Sequence, residues 1–205
     1  MAVKAPARDE GGPGPVTWEQ FVALDEDDPR ELVDGKLLDV EVPTEQHEHV
    51  VAVLLSFLVT WARERKAGRV HASGYKVKVS ASRGAMPDVQ LYRRGNPAKM
   101  TPAGVEGGRP DLAVEVLSPG SVAHDRIRKL GWYASIGVPE YWIVDPEHRT
   151  MERLVLEKEG RYAVAEALEG DAVLAPESFE GLRIPLATLW ERWDDAVGES
   201  ADEKK

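Results

Sequence analysis

The chain has 205 residues, with 26 Lys plus Arg against 36 Asp plus Glu and a formal net charge of −10. That length suits one domain, and a hydrophobic share of 42% with 30% charged residues excludes wholesale disorder. The absence of cysteine excludes disulfides, thiol catalysis and cysteine-bound zinc, and the acidic balance argues against a broad basic surface that coats nucleic acid.

No apolar run approaches the roughly 18 residues of a membrane span, and the N-terminus carries no apolar core of the signal-peptide kind. The expectation is therefore a cytoplasmic protein without membrane contact. Asn96 is the single asparagine, and Gln20, Gln46 and Gln90 are the only glutamines. Few amides, no cysteine and many charges resemble a thermophile bias.

Residues 1–15 are rich in Gly, Pro and charge and read as a flexible tail. Residues 16–195 read as one domain, and 196–205 as a charged C-terminal tail. Thr17 is placed to cap a short helix running to about Leu24. An acidic turn at 25–29 leads into a hairpin over 31–42 whose turn is Asp34-Gly35. A long helix is expected from about His47 to Lys66, since Val50, Val51, Leu54, Phe57, Leu58 and Trp61 recur at helical spacing. Gly68 is expected to end it.

Tyr75, Val77 and Val79 alternate inside a strand expected over 70–80, and Pro87 to Arg93 reads as a second strand. The stretch 96–110 lacks periodicity and is expected to be a loop. Leu112 to Leu117 is a nearly continuous apolar strand of the buried type. A helix over about 122–136 follows, with Ile127, Leu130 and Ala134 as its apolar stripe and Gly137 as its stop. Glu140 to Val144 is another buried strand. A hairpin turns at Glu159-Gly160, and a short helix is expected over 188–193. In the strand Glu140–Val144, Trp142 and Val144 share one face, Tyr141 and Ile143 the other. Trp132, Tyr141 and Trp142 are expected in the core or an interface. The order of elements indicates one α/β or α+β domain.

Several familiar chemistries lack their residues. There is no glycine-rich phosphate loop, no Gly-x-Gly-x-x-Gly before a helix and no Gly-x-Ser-x-Gly elbow. His47 and His49 are two apart, unlike the i,i+4 pair of a helical zinc site. Ser118 and Ser121 near His124 read as ordinary capping of a helix start.

The carboxylates are more informative. Glu115 lies inside the apolar strand and shares a face with Asp111, Ala113 and Leu117 by strand alternation. A carboxylate there needs a partner, a metal or an exposed sheet edge. Asp88 starts the neighbouring short strand and shares a face with Gln90. Two carboxylates on adjacent strands suit a hard cation such as Mg²⁺. Asp125, Lys129 and Tyr133 are spaced i, i+4, i+8 on the following helix. They form either a surface ion pair with a half-exposed ring or a stripe that returns Lys129 towards Glu115.

The ordered set Glu31-Leu-Val-Asp-Gly-Lys, His47, Pro87-Asp88, Asp111-Leu-Ala-Val-Glu115-Val-Leu-Ser-Pro119, Asp125-x-x-x-Lys129-x-x-x-Tyr133 and Gly137-Val-Pro-Glu-Tyr-Trp-Ile-Val-Asp145-Pro146 resembles a bacterial family of restriction endonucleases. That family, once filed as a domain of unknown function, is grouped with the PD-(D/E)XK nuclease superfamily. The similarity runs from about Thr17 to Glu191.

The resemblance implies a restriction-endonuclease-like core, a mixed α/β sheet with flanking helices, and a metal-dependent phosphodiesterase site using Mg²⁺ or Mn²⁺ on nucleic acid, chiefly DNA. It implies metal-binding and catalytic roles for Asp88 and Glu115. The superfamily lysine would fall at 117, where this chain has Leu117, and the family pattern supplies Lys129 instead. Glu31, His47, Gln90, Asp125 and Tyr133 are expected as accessory residues. Lys76, Lys78, Arg126 and Arg128 are expected to form a basic cleft, and a homodimer is expected. The alternative is a nuclease fold used without catalysis, for binding or protein association.

Overall fold

Thr17 caps a first helix, α1 (Trp18–Val22): its hydroxyl accepts the Gln20 N–H while the Gln20 side chain accepts the Thr17 N–H, a reciprocal capping box. The computed structural model describes residues 14–25, 28–39 and 42–191, so most of the expected N-terminal tail, the whole C-terminal tail and part of the acidic turn lie outside the described residues. The first hairpin joins β1 (Glu31–Val33) to β2 (Lys36–Leu38). Asp34 and Gly35 both take positive φ, +49° and +76°, as a tight two-residue turn requires.

The long helix α2 (Glu45–Glu64) is capped by Thr44, which accepts the His47 N–H. It ends at Arg65, with Lys66 at a φ of +51°. Gly68, expected to stop this helix, instead opens β3 (Gly68–Ala72). A Cβ there would run into the Tyr92 carbonyl oxygen, so the glycine serves close strand approach.

The single strand expected over 70–80 is two, because Gly74 turns the chain at a φ of +89°. Beyond it come β4 (Lys76–Ser80), β5 (Arg83–Ala85) and β6 (Val89–Arg93). The expected loop at 96–110 contains a small hairpin, β7 (Lys99–Thr101) and β8 (Gly104–Gly107). Strands of three and four residues are too short to show an alternation.

The buried strand β9 (Leu112–Val116) leads into a helical stretch of two kinds. Residues His124–Lys129 are π-helical, and α3 (Leu130–Ser135) continues them. Gly137, at a φ of +77°, ends the helix as expected. The chain closes with β10 (Glu140–Asp145), β11 (Thr150–Leu156), β12 (Tyr162–Glu169), β13 (Val173–Leu174), β14 (Ile184–Pro185) and α4 (Ala187–Trp190). The last residues of the expected terminal helix lie outside the described residues.

Two six-stranded sheets result, ordered β2-β1-β5-β4-β8-β7 and β12-β11-β10-β9-β6-β3. The second is mixed, with β9 and β10 parallel and its other neighbours antiparallel. One face carries Leu112, Val114, Val116, Trp142 and Val144 and packs against Val50, Leu54 and Leu58 of α2. The other carries Ala113, Tyr141 and Ile143 and packs against Trp132 and Tyr133. Val33 and Ala85 from the first sheet join this second core, which brings the N-terminal hairpin against the face where Glu115 points. No described helix is long and apolar enough to cross a membrane.

Candidate functional site

Strand register sets the first pair of carboxylates side by side. β6 and β9 are antiparallel with Val89 opposite Val114. Asp88 immediately precedes β6 and Glu115 immediately follows Val114 on β9, so the two carboxylates sit at the same end of the strand pair. Asp88 is held there by the backbone, since its Oδ2 accepts the Val116 N–H at 2.8 Å. His47, in the first turn of α2, places its Nε2 3.3 Å from the same oxygen.

The helix over β9 brings the third member. Asp125, Lys129 and Tyr133 all turn inward and are buried, whereas Ile127, expected on the apolar stripe, is 70% exposed. The π-helical stretch is the physical reason. Its wider turn changes the angular step between side chains, so the 3.6-residue stripe does not apply across 124–129. The polar stripe therefore faces the sheet.

Lys129 Nζ sits at the centre, 3.0 Å from Glu115 Oε2, 3.1 Å from Glu31 Oε1 and 3.2 Å from Asp125 Oδ1. Tyr133 donates its hydroxyl to Glu115 Oε1 at 2.5 Å, so both Glu115 oxygens are bonded. Glu31 arrives from β1; its Oε1 accepts the Met86 N–H at 3.0 Å and its Oε2 lies 2.8 Å from His124 Nε2. The Asp125 carbonyl accepts the Tyr141 hydroxyl, which fixes the π-helical turn to β10.

Three carboxylates thus surround one ammonium, with Asp88 further off, and burial sharpens their electrostatics. Burial tends to raise the pKa of Glu31, but the Lys129 charge, the His124 hydrogen bond and the Met86 N–H outweigh it and hold the group at about 2. Glu115 goes the other way. Burial pushes it well above the usual carboxylate range, Lys129 opposes, and the charges of Asp125, Asp88 and Glu31 add to the rise. Burial would lower Lys129, but Glu115, Glu31, Asp125 and Asp88 raise it well above the ordinary ammonium value. Tyr133 is raised by burial and the Glu115 charge, so it stays a neutral phenol.

Solvent reaches this cluster at its rim, through Asp88 and His124. The Asp88 side chain is 15% exposed, against 2–3% for Glu31, Glu115 and Asp125. Asp125 Oδ1 is buried and lies within ion-pair distance of Lys129, yet no donor is aligned on it for a hydrogen bond. The buried acids outnumber the one ammonium they share. Among the described residues, no group of three or more His, Asp or Glu side chains forms a ready-made metal cage. Mg²⁺ is commonly held by one or two carboxylates, with water and substrate phosphates completing its shell. Asp88 and Glu115 supply two carboxylates, and both Glu115 oxygens are bonded, to Lys129 and Tyr133.

Not every expected residue joins. The Gln90 amide is occupied elsewhere: it donates to the Tyr75 carbonyl and accepts the Tyr92 hydroxyl. Leu117 packs in the core at the position where the superfamily lysine would stand. Nor do the four expected basic residues gather. Lys76 is buried, donating to the Phe21 carbonyl; Lys78 pairs with Glu19, Arg126 pairs with Glu152, and Arg128 is exposed. No sequence pattern marks the contact of His124 with Glu31, which lies 93 residues away.

Comparison with known proteins gives the family and the fold. The profile of the Uma2 family, described as "putative restriction endonuclease", matches residues 18–187. A crystal structure of a "putative nuclease belonging to DUF820" from Anabaena variabilis ATCC 29413 superposes with a TM-score of 0.69. It is 18% identical and covers 86% of this chain and 98% of its own, a likeness of fold. No curated protein matches the chain.

Proposed function

The chain belongs to the Uma2 family, with a restriction-endonuclease-like core, and from that premise we propose that it is a metal-dependent endonuclease cleaving phosphodiester bonds, chiefly of DNA. The observation that supports this reading is that Asp88, bonded to the Val116 N–H beside Glu115, lies at the same strand end as Glu115, whose carboxylate is 3.0 Å from Lys129. Asp88 and Glu115 would hold Mg²⁺ or Mn²⁺. Such an ion lowers the pKa of a bound water and offsets charge on the phosphoryl oxygens.

The chain's own groups divide the remaining work. Asp88 is the carboxylate that a phosphate reaches from solvent. Lys129 is enclosed by acids and stays protonated, so it is not the base that takes the proton of water. It orients the Glu115 carboxylate and balances the charge of Glu31 and Asp125. Tyr133 fixes the other Glu115 oxygen, and its raised pKa argues against a nucleophilic role. His47 holds Asp88 in place at the rim.

A second reading, a nuclease fold kept for binding without catalysis, is favoured by one observation: both Glu115 oxygens are already bonded. Supercoiled plasmid, linear duplex and single-stranded DNA incubated with Mg²⁺ or Mn²⁺, beside EDTA controls and the Asp88→Asn variant, separate the two. Metal-dependent cleavage lost in Asp88→Asn supports the enzyme. DNA binding with no cleavage under any of these conditions supports the second reading.

A cytoplasmic setting and a homodimer belong to the same proposal. β12 forms an outer edge of its sheet and exposes Val164. Sedimentation of the purified protein tests the dimer.

A further inference from the structure

A concentration of positive charge lies at the opposite end of the elements that build the acidic cluster. α2 carries His47 in its first turn and Arg63 and Lys66 at its end. Sixteen residues at 1.5 Å each separate His47 from Arg63 by about 24 Å. β6 (Val89–Arg93) likewise has Asp88 just before it, Arg93 as its last residue and Arg94 just after. Between these ends opens a cleft of about 540 Å³, whose charged lining residues are Arg63, Lys66, Arg69, Arg93 and Arg94. No acidic residue lines it, in a chain of net charge −10.

The roles of these cations within the fold differ. Arg93 is used structurally: its guanidinium donates to the Ser178 carbonyl and lies 4.5 Å from the Phe179 ring. Arg63 and Lys66 favour the C-terminal end of α2, where cations offset the helix dipole. That accounts for two charges and leaves Arg69 on β3 and Arg94 after β6. Arg63, Lys66, Arg69 and Arg94 are exposed and make no ion pair among the described residues. Four unneutralised cations from three elements around one cleft repel one another unless an anion is present.

We propose that this cleft is a second nucleic-acid contact, gripping backbone phosphates roughly 17–20 Å along β6 from Asp88 without reading sequence. The identity of the polyanion rests on the nuclease reading; the cleft itself does not. At 3.4 Å per step, that separation corresponds to roughly five to six base pairs of duplex. Guanidinium groups suit phosphate oxygens, and such contacts position a duplex without specifying bases. An otherwise acidic protein thereby acquires a local electrostatic hold on DNA.

The test is binding of a labelled 20-base-pair duplex by fluorescence anisotropy in EDTA, so that cleavage plays no part, repeated across a series of salt concentrations. The Arg63→Ala, Arg69→Ala, Arg94→Ala triple variant is compared with wild type. A Lys36→Ala, Lys158→Ala, Arg161→Ala variant of equal net charge controls for global charge. Each phosphate contact contributes about 0.9 to the slope of log K against log salt, so the cleft variant should lose roughly 2 to 3 from that slope. It should also bind at least tenfold more weakly at low salt, while the control behaves as wild type. If the triple variant does not fold, the single Arg69→Ala variant should lose roughly 1 from the slope.

An unchanged slope in the cleft variant, an equal loss in the control, or no binding by wild type would each overturn the proposal. Displacement of the DNA by poly-glutamate at equal charge concentration would also overturn it, pointing to an acidic protein partner. Cleavage without cleft-dependent binding sinks this inference alone. Cleft-dependent binding without cleavage sinks the nuclease reading alone.

Discussion

Glu115 and Lys129 form a buried pair at 3.0 Å, drawn from a strand and from a helix whose π-helical turn aims the lysine at the sheet. The pair does not balance the site, because Glu31 and Asp125 share the same ammonium. Such an arrangement is costly to bury and is held by neighbouring contacts: the Met86 N–H on Glu31, the Tyr133 hydroxyl on Glu115 and the Tyr141 hydroxyl on the Asp125 carbonyl. Its consequences for stability differ from residue to residue.

Replacing Lys129 by Met keeps the bulk and leaves three buried carboxylates without their cation. Removal of one partner from a buried ionic group costs about 3–5 kcal/mol. Urea unfolding at pH 8 should show a loss of that order, shrinking towards pH 4 as the acids take up protons. A loss that is the same at both pH values would show that charge is not the cause.

Glu115→Gln should act in the opposite direction. The pKa of Glu115 is raised in the fold, so its contribution is full below the unfolded value of 4.5 and is lost as pH rises through the folded value. The amide still accepts from Lys129 or Tyr133. The variant should therefore be more stable than wild type at pH 8, with the advantage gone at pH 4. Thermal unfolding at the two pH values measures this, and a destabilised variant at pH 8 would contradict it.

For Glu31 the sign is reversed. Its pKa falls from 4.5 to about 2, so its contribution is present above pH 4.5 and is lost as pH falls through about 2. At 1.36 kcal/mol per unit, Glu31→Gln should cost on the order of 3 kcal/mol at pH 7 and little near pH 2. Denaturant titrations across this range would show the two stability curves converging in acid; parallel curves would refute the assignment.

His47 provides a separate, milder pH dependence. Burial would lower its pKa, but the hydrogen bond and charge of Asp88, helped by Glu48 and Asp125, leave it raised above 6.5. The pairing is at full strength below pH 6.5 and is lost as pH rises through the folded value. NMR titration of the His47 ring should give a midpoint above 6.5, returning towards 6.5 in Asp88→Asn. An unchanged midpoint in that variant would remove Asp88 as the cause.

Much of this was legible in the sequence, for identifiable physical reasons. Alternation set Glu115 on the face opposite Leu112, Val114 and Val116, and the Asp34-Gly35 signal located the first hairpin. The i, i+4, i+8 spacing grouped Asp125, Lys129 and Tyr133. It did not reveal that this stripe faces inward, because a π-helical stretch leaves no periodic mark in the sequence. The contacts of His124 with Glu31 and of Tyr141 with Asp125 depend on how the elements pack, which local patterns do not encode. Gly68 misled for a related reason: the same residue serves a helix stop and a close strand crossing.

The central claim is that Asp88 and Glu115 together bind a metal that cleaves DNA. The most direct measurement compares initial rates of plasmid cleavage by wild-type protein and Glu115→Gln in Mg²⁺ and in Mn²⁺, on samples shown to be folded by their unfolding curves. The account predicts metal-dependent cleavage by wild type and at least a hundredfold slower cleavage by the stable variant. Equal rates in the two proteins would contradict it.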